Sequence, residues 1–140
     1  MYPDGMYVNA AKYQLGRMYL KKRNYTQGVE LLQNVFNYAR ASGIRADESV
    51  HQTDIIRDLE EAEQYGAAIE LLERIINTSD NETVRLKARI EIARNCFYNN
   101  DFVRAESICR ELLGRSDIDS KTALDAKMII LSIERSRSND

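Results

Sequence analysis

The stretch 86–114, LKARIEIARNCFYNNDFVRAESICRELLG, decides the fold. It predicts two amphipathic helices separated at Asn99-Asn100-Asp101, because Asn tolerates the left-handed conformation that ends a helix and Asp caps the next one. In each half, small and apolar residues recur at spacings of three and four, the period of a buried helical stripe. These residues are Ala88, Ile92, Ala93 and Cys96, then Ala105, Ile108, Cys109 and Leu112. The unit is a helical hairpin with one apolar side, which a single hairpin cannot bury alone.

The chain repeats this hairpin. With Phe102 as the anchor, Tyr65 stands 37 residues earlier and Tyr25 another 40 before that. Each aromatic residue is followed three residues later by a small one, which is Gly28, Ala68 or Ala105. The second helices align as YTQGVELLQNVF, YGAAIELLERII and FVRAESICRELL, and the first helices as QLGRMYL (14–20), DIIRDLE (54–60) and EIARNCF (91–97). The pattern predicts hairpins over about 6–42, 47–78 and 81–114, and a seventh helix over about 120–137.

This pattern resembles the tetratricopeptide repeat. Leu15-Gly16 and Tyr19, followed by Tyr25, Gly28 and Leu32, match the family's large-small-aromatic and aromatic-small-large signature. The repeats here are longer than the family's usual period of about 34 residues, and helices longer by roughly one turn accommodate the difference. The resemblance covers about residues 8–135 and implies an all-α superhelix of helical hairpins in a single domain. The core residues that we expect are Leu15, Tyr19, Leu32, Ala68, Leu72, Ile92, Ala105, Ile108 and Leu112.

Composition excludes several classes of protein. A net charge of −2 disfavours non-specific binding to nucleic acid. No apolar run approaches the length of about 20 residues that spans a bilayer, and no signal peptide opens the chain. We therefore expect a cytoplasmic protein, or a periplasmic one if an upstream signal has been removed. The two cysteines lie on apolar stripes, which favours buried free thiols over a disulfide.

The sequence offers no convincing catalytic or metal site. His51 is spaced by helical turns from Asp47, Asp54 and Asp58, but the partner helix adds only Glu70 and Glu73 and the chain has no second histidine. A solvated acidic face is the favoured interpretation. With one histidine, no Gly-x-Ser-x-Gly motif and no glycine-rich phosphate loop, we expect neither an enzyme nor a bound cofactor or metal.

The resemblance implies a binding groove lined by the first helix of each hairpin. The residue after the small position of that helix is arginine all three times, at Arg17, Arg57 and Arg94. Positions four before and three after share its helix face. The implied groove residues are Tyr13, Arg17, Leu20, Thr53, Arg57, Glu60, Lys87, Ile90, Arg94 and Phe97. A row of arginines suits carboxylates and extended peptide backbone. The alternative is that the arginines only solubilise the helices by pairing with neighbours such as Asp54 or Glu91.

The predicted function is a non-catalytic scaffold that binds a peptide or a partner helix. The alternatives are a regulatory or sensor domain of a longer signalling or transcription-regulator chain, an envelope-assembly scaffold, and a structural spacer. A chaperone-tail clamp is disfavoured, because only Lys87 supplies the expected type of residue. In the seventh helix, Met128, Ile130 and Leu131 predict an apolar surface that meets a further repeat, a partner or a second copy of the chain.

Overall fold

The structure, a computed structural model, describes residues 4–41 and 50–139, with side chains over 8–38 and 53–139. The described residues form seven helices and contain no strand, which confirms the all-α prediction. The helices are α1 (Asp4–Lys21), α2 (Tyr25–Ala41), α3 (Val50–Glu61), α4 (Tyr65–Thr78), α5 (Glu82–Tyr98), α6 (Phe102–Leu113) and α7 (Ser120–Ser138). The predicted helix end at Ser42-Gly43, the linker 44–46, the cap Asp47 and the side chain of His51 lie outside the described residues.

The three hairpin turns have the same backbone structure. Arg23, Glu63 and Asn100 each adopt a left-handed conformation, with φ of 62°, 60° and 64°. They are separated by 40 and 37 residues, the same offsets as the aromatic anchors. In each turn the next amide donates back to the helix across five residues: Asn24 N to Tyr19 O at 2.8 Å, Gln64 N to Leu59 O at 2.7 Å and Asp101 N to Cys96 O at 2.8 Å. This pairing is the Schellman motif that ends a helix, so the three turns share one backbone conformation at the spacings of the aromatic anchors.

The residues at the third turn have the roles that the sequence predicts. Asn100 is the left-handed residue, and the Asp101 carboxylate accepts a hydrogen bond from the Arg104 amide at 3.3 Å. Before α5, the Asn81 side chain accepts hydrogen bonds from the amides of Thr83 and Val84. Such caps satisfy amides that have no partner within the helix, so local chemistry defines where these helices start.

The described residues form two compact units that divide between Ala67 and Ala68, within α4. In the first unit, α1 and α2 approach closely at two glycines. A β-carbon placed on Gly28 would lie 3.0 Å from the carbonyl oxygen of Gly16 and 2.8 Å from Cδ2 of Leu20. The core of this unit is large and apolar, with Leu32, Phe36, Ile55 and Leu59 fully buried.

In the second unit, α7 packs against both α5 and α6. Its buried side chains include Ile92, Cys96, Cys109, Leu112 and Ile133. Both cysteines are free thiols, as the sequence predicts. Burial raises the pKa of Cys96 and raises the pKa of Cys109 to about 11. The thiols are therefore protonated packing groups at neutral pH.

Most of the predicted core is confirmed, and the prediction is wrong for Leu15. Six of the nine residues are buried, namely Leu32, Ala68, Leu72, Ile92, Ala105 and Leu112. Tyr19 and Ile108 are half-buried, whereas Leu15 is 38% exposed. Its equivalent 77 residues later, Ile92, lines a cleft together with Ile76 of the preceding helix α4. Met18, one turn after Leu15 on α1, is also exposed.

Candidate interaction surface

Arg17 links α1 to α3 in the first unit. Its Nε lies 2.8 Å from Oδ2 of Asp58, and its guanidinium carbon lies 5.4 Å from the centre of the Tyr13 ring. The contact with Asp58 is an ion pair without an aligned hydrogen bond, since Oδ2 is buried and accepts none from the described residues. Burial raises the pKa of Asp58 and outweighs the opposing charge of Arg17. The arginine is therefore held in place by an aromatic face and a poorly solvated carboxylate.

Arg57 is the most exposed of the three predicted groove arginines. Its side chain is 62% exposed, and Nη1 lies 3.5 Å from Oδ1 of Asp54, one turn earlier on α3. Thr53 beside it is exposed and Glu60 is half-buried. A pair of this kind on an open helix contributes little to stability, so Arg57 can exchange partners at low cost.

Arg94 links α5 to α7 in the second unit. It forms an ion pair with Glu91 on its own helix, and Nη2 lies 3.9 Å from Oδ2 of Asp125 on α7. Burial by itself would lower the pKa of Arg94, but the hydrogen bond to Glu91 and the two carboxylate charges raise it. Its side chain remains 29% exposed. Arg94 is thus charged, oriented and still accessible along one edge.

The apolar residues predicted to flank the arginines need correction. The structure buries Tyr13, Leu20 and Ile90. Leu20 is turned toward α2, where its Cδ2 fills the space beside Gly28. These three side chains are largely apolar and pack against other residues of the chain. They therefore stabilise the helices and are not accessible to a partner.

Phe97 and Lys87 lie differently. Phe97 is half-buried, and its ring centre lies 5.5 Å from that of Phe102 across the third hairpin turn and 5.8 Å from that of Tyr98. Aromatic pairs at these distances attract each other, so Phe97 joins α5 to α6. Lys87 is exposed on α5.

The predicted apolar surface of α7 is exposed, except at Ile130. Met128 and Leu131 are 57% and 50% exposed, whereas Ile130 is half-buried. Leu124 is also 57% exposed and lies one turn before Met128. Its spacing from Met128 and Leu131, at i, i+4 and i+7, could have identified it from the sequence.

The second unit also contains an apolar cleft of about 210 Å³ between α4, α5 and α6. This cleft was not predicted from the sequence. Its lining includes Ile76, Ile92, Ile108 and Leu112. Two ion pairs also line the cleft, Arg104 to Glu73 at 2.6 Å and Arg89 to Glu111 at 3.3 Å. Each ion pair joins different helices, so only the folded arrangement brings the partners together.

Among the described side chains, no three histidine, cysteine, aspartate or glutamate residues are grouped as metal ligands. Within the same part of the chain, no helix has the length and apolar character needed to cross a bilayer. Comparisons with profiles of known protein families, with curated proteins and with solved structures found no match.

Proposed function

We propose that this protein is a non-catalytic interaction module that binds a peptide or a partner helix through the first helices of its hairpins. The observation that carries the proposal is the arginine that recurs at one repeat position, at Arg17, Arg57 and Arg94. All three side chains remain partly exposed, at 38%, 62% and 29%. The shared hairpin turns, with left-handed residues 40 and 37 positions apart, support a tetratricopeptide-like superhelix as the scaffold.

An arginine that is already oriented loses less conformational freedom on binding than a free one. Arg17 contacts Asp58 through Nε, which leaves Nη1 and Nη2 outside that contact. A guanidinium has five N–H donors, so one carboxylate partner does not exhaust it. The ion pairs therefore support binding by holding the side chain in place. The pairs Arg57–Asp54 and Arg94–Glu91 also fit the solubilising alternative, so the experiment must separate the two.

The experiment is affinity capture from a lysate of the source cells with the variant Arg17→Ala, Arg57→Ala, Arg94→Ala. The matched control removes three other arginines that form ion pairs within one helix, Arg74, Arg85 and Arg110. Both triple variants lose the same charge, so a non-specific effect of charge would appear in both. We expect only the first to lose its partner, because each charge-assisted contact contributes roughly 1–3 kcal/mol.

Folding needs its own check, since Arg17→Ala leaves the largely buried Asp58 carboxylate without its cation. Thermal unfolding of each variant, followed by circular dichroism, provides that check. The double variant Arg57→Ala, Arg94→Ala leaves the Arg17 ion pair intact and should retain the wild-type unfolding temperature more closely. If both this double variant and the triple variant capture the same proteins as the wild type, the arginines only solubilise the helices.

A further inference from the structure

Helix α7 has two apolar faces of different kinds. One is buried against α5 and α6 and contains Thr122, Ala126, Ile129 and Ile133. On the opposite side Leu124, Met128 and Leu131 are 57%, 57% and 50% exposed. At about 3.6 residues per turn these three residues align along the helix, and we call them the outer stripe. The buried face already attaches α7 to its unit, so the outer stripe is not needed for that packing.

The outer stripe is bordered by cations. Lys121, Lys127 and Arg135 are exposed on the same side of α7. Among the described residues, the ion pairs of α7 involve Asp125 and Arg137 and include neither Lys127 nor Arg135. Of the nearby acidic groups, Asp125 faces Arg94 of α5, whereas Asp119, which precedes α7, lies close enough to Lys121 to interact with its charge. Glu134 is the one acidic residue at the margin of the stripe among the described positions of α7. The surface therefore combines three exposed apolar side chains with a net positive border.

We infer that the outer stripe binds the apolar face of an amphipathic helix that carries acidic residues beside that face. The inference rests on the proposed role as an interaction module and names the chemistry of a partner. Side chains at i, i+4 and i+7 form a ridge that fits between the side chains of a second helix. Cations along both edges attract glutamate or aspartate at the flanking positions of that helix and repel a basic one.

The same charges disfavour a second copy of this chain as the occupant. A symmetric antiparallel pair of α7 helices centred on the stripe would place Lys127 near its own equivalent and Arg135 near Lys121 of the other copy, so like charges would meet. The exposed face of α1 is no better as a partner, because Lys12 lies on that helix one turn before Leu15, and Lys22 directly follows its last residue, four positions after Met18. An acidic helix is thus the partner that matches both the shape and the charge of the outer stripe.

The test uses synthetic helical peptides as probes, with binding measured by fluorescence anisotropy at low salt. The acidic probe carries leucine at heptad spacing on one face and glutamate at the flanking positions. A basic probe has lysine in place of every glutamate, and a polar probe has serine in place of every leucine. We expect the acidic probe to bind and the other two to bind at least about tenfold more weakly, the ratio that corresponds to 1.4 kcal/mol.

Variants of the whole chain locate the contact. Leu131→Gln removes one apolar member of the stripe and keeps a good helix former, and Lys127→Glu reverses one border charge. Each should weaken binding of the acidic probe by about tenfold, and Lys127→Glu should improve binding of the basic probe. Val103→Gln is the matched control, because Val103 is 76% exposed on α6. It should bind the acidic probe like the wild type.

Equal binding of the acidic and basic probes, or no binding of either, overturns the inference. So does an acidic probe that binds Leu131→Gln as tightly as it binds the wild type. Sedimentation equilibrium gives a further outcome: self-association that Leu131→Gln abolishes would show that a second copy covers the stripe, and the inference would fail. The proposed function is tested separately, since capture that depends on Arg17, Arg57 and Arg94 would stand even if no probe bound α7.

Discussion

Replacement by alanine should have opposite effects at two glycines of the first unit, Gly28 at the close contact between α1 and α2 and Gly66 in open space. In Gly28→Ala the new β-carbon would lie 3.0 Å from the Gly16 carbonyl oxygen and 2.8 Å from Cδ2 of Leu20. The Leu20 side chain can turn away, but the carbonyl belongs to the backbone of α1, so α1 and α2 must separate. Such overpacking costs about 1–3 kcal/mol. Replacing glycine by alanine within a helix by itself stabilises the folded state by about 0.5–1 kcal/mol.

The expected net result is that Gly28→Ala destabilises the protein by roughly 0.5–2 kcal/mol. Gly66→Ala is the matched control, because a β-carbon at Gly66 would have no neighbour within 4 Å. At Gly66 only the helix preference of alanine acts, and we expect the free energy of unfolding to rise by up to about 1 kcal/mol. Urea unfolding followed by far-ultraviolet circular dichroism measures both changes. If Gly28→Ala were as stable as Gly66→Ala, the close approach of α1 and α2 would be refuted.

Three further predictions concern the turns and the core. Glu63→Gly should raise the free energy of unfolding by up to about 1 kcal/mol in the same urea assay, because Glu63 has φ of 60° and glycine adopts that conformation without strain. Asn100→Gly should raise it less, since asparagine tolerates the left-handed conformation. Ala68→Glu should lower the thermal midpoint severely, because Ala68 is fully buried and a carboxylate there has no partner; a midpoint close to that of the wild type would show that the repeat register is wrong. Stability should also fall in alkali, because the unfolded thiol has a pKa near 8.5 and burial raises the pKa of Cys109 to about 11. The folded state then holds the proton more tightly, so this contribution is complete below about pH 8.5 and is lost as the pH rises through about 11; in urea unfolding across that range, Cys109→Ala should lose less stability than the wild type.

The hairpin turns show why part of the fold could be predicted from the sequence. The left-handed residue at each turn lies two positions before an aromatic anchor, and the small position lies three after it. At the third turn, Asn100 and Asp101 act through contacts within a few residues of themselves. Interactions of such short range depend on local sequence alone. This turn and the cap that follows it could therefore be predicted from the local sequence.

The candidate surface was predictable only in part. Arg17, Arg57 and Arg94 occur on partly exposed helix faces, because long charged side chains rarely enter a core. Leu20 and Ile90 were predicted on the same faces, but packing buries them. Helical spacing places a residue on a face of its helix and leaves open which neighbouring helix covers that face.

By itself, the sequence determined the seven helices, the positions of the three hairpin turns and the small residues Gly28, Ala68 and Ala105, because these follow from periodicity and from contacts between near neighbours in the chain. Only the tertiary structure decided that Leu15 is exposed while its equivalent Ile92 is buried. It likewise decided the acidic partners of Arg17 and Arg94 on other helices. Burial and ion pairing of this kind join residues far apart in the chain. Burial and ion pairing therefore depend on which helices lie next to each other. The packing of whole helices decides this, and the spacing of residues within one helix does not.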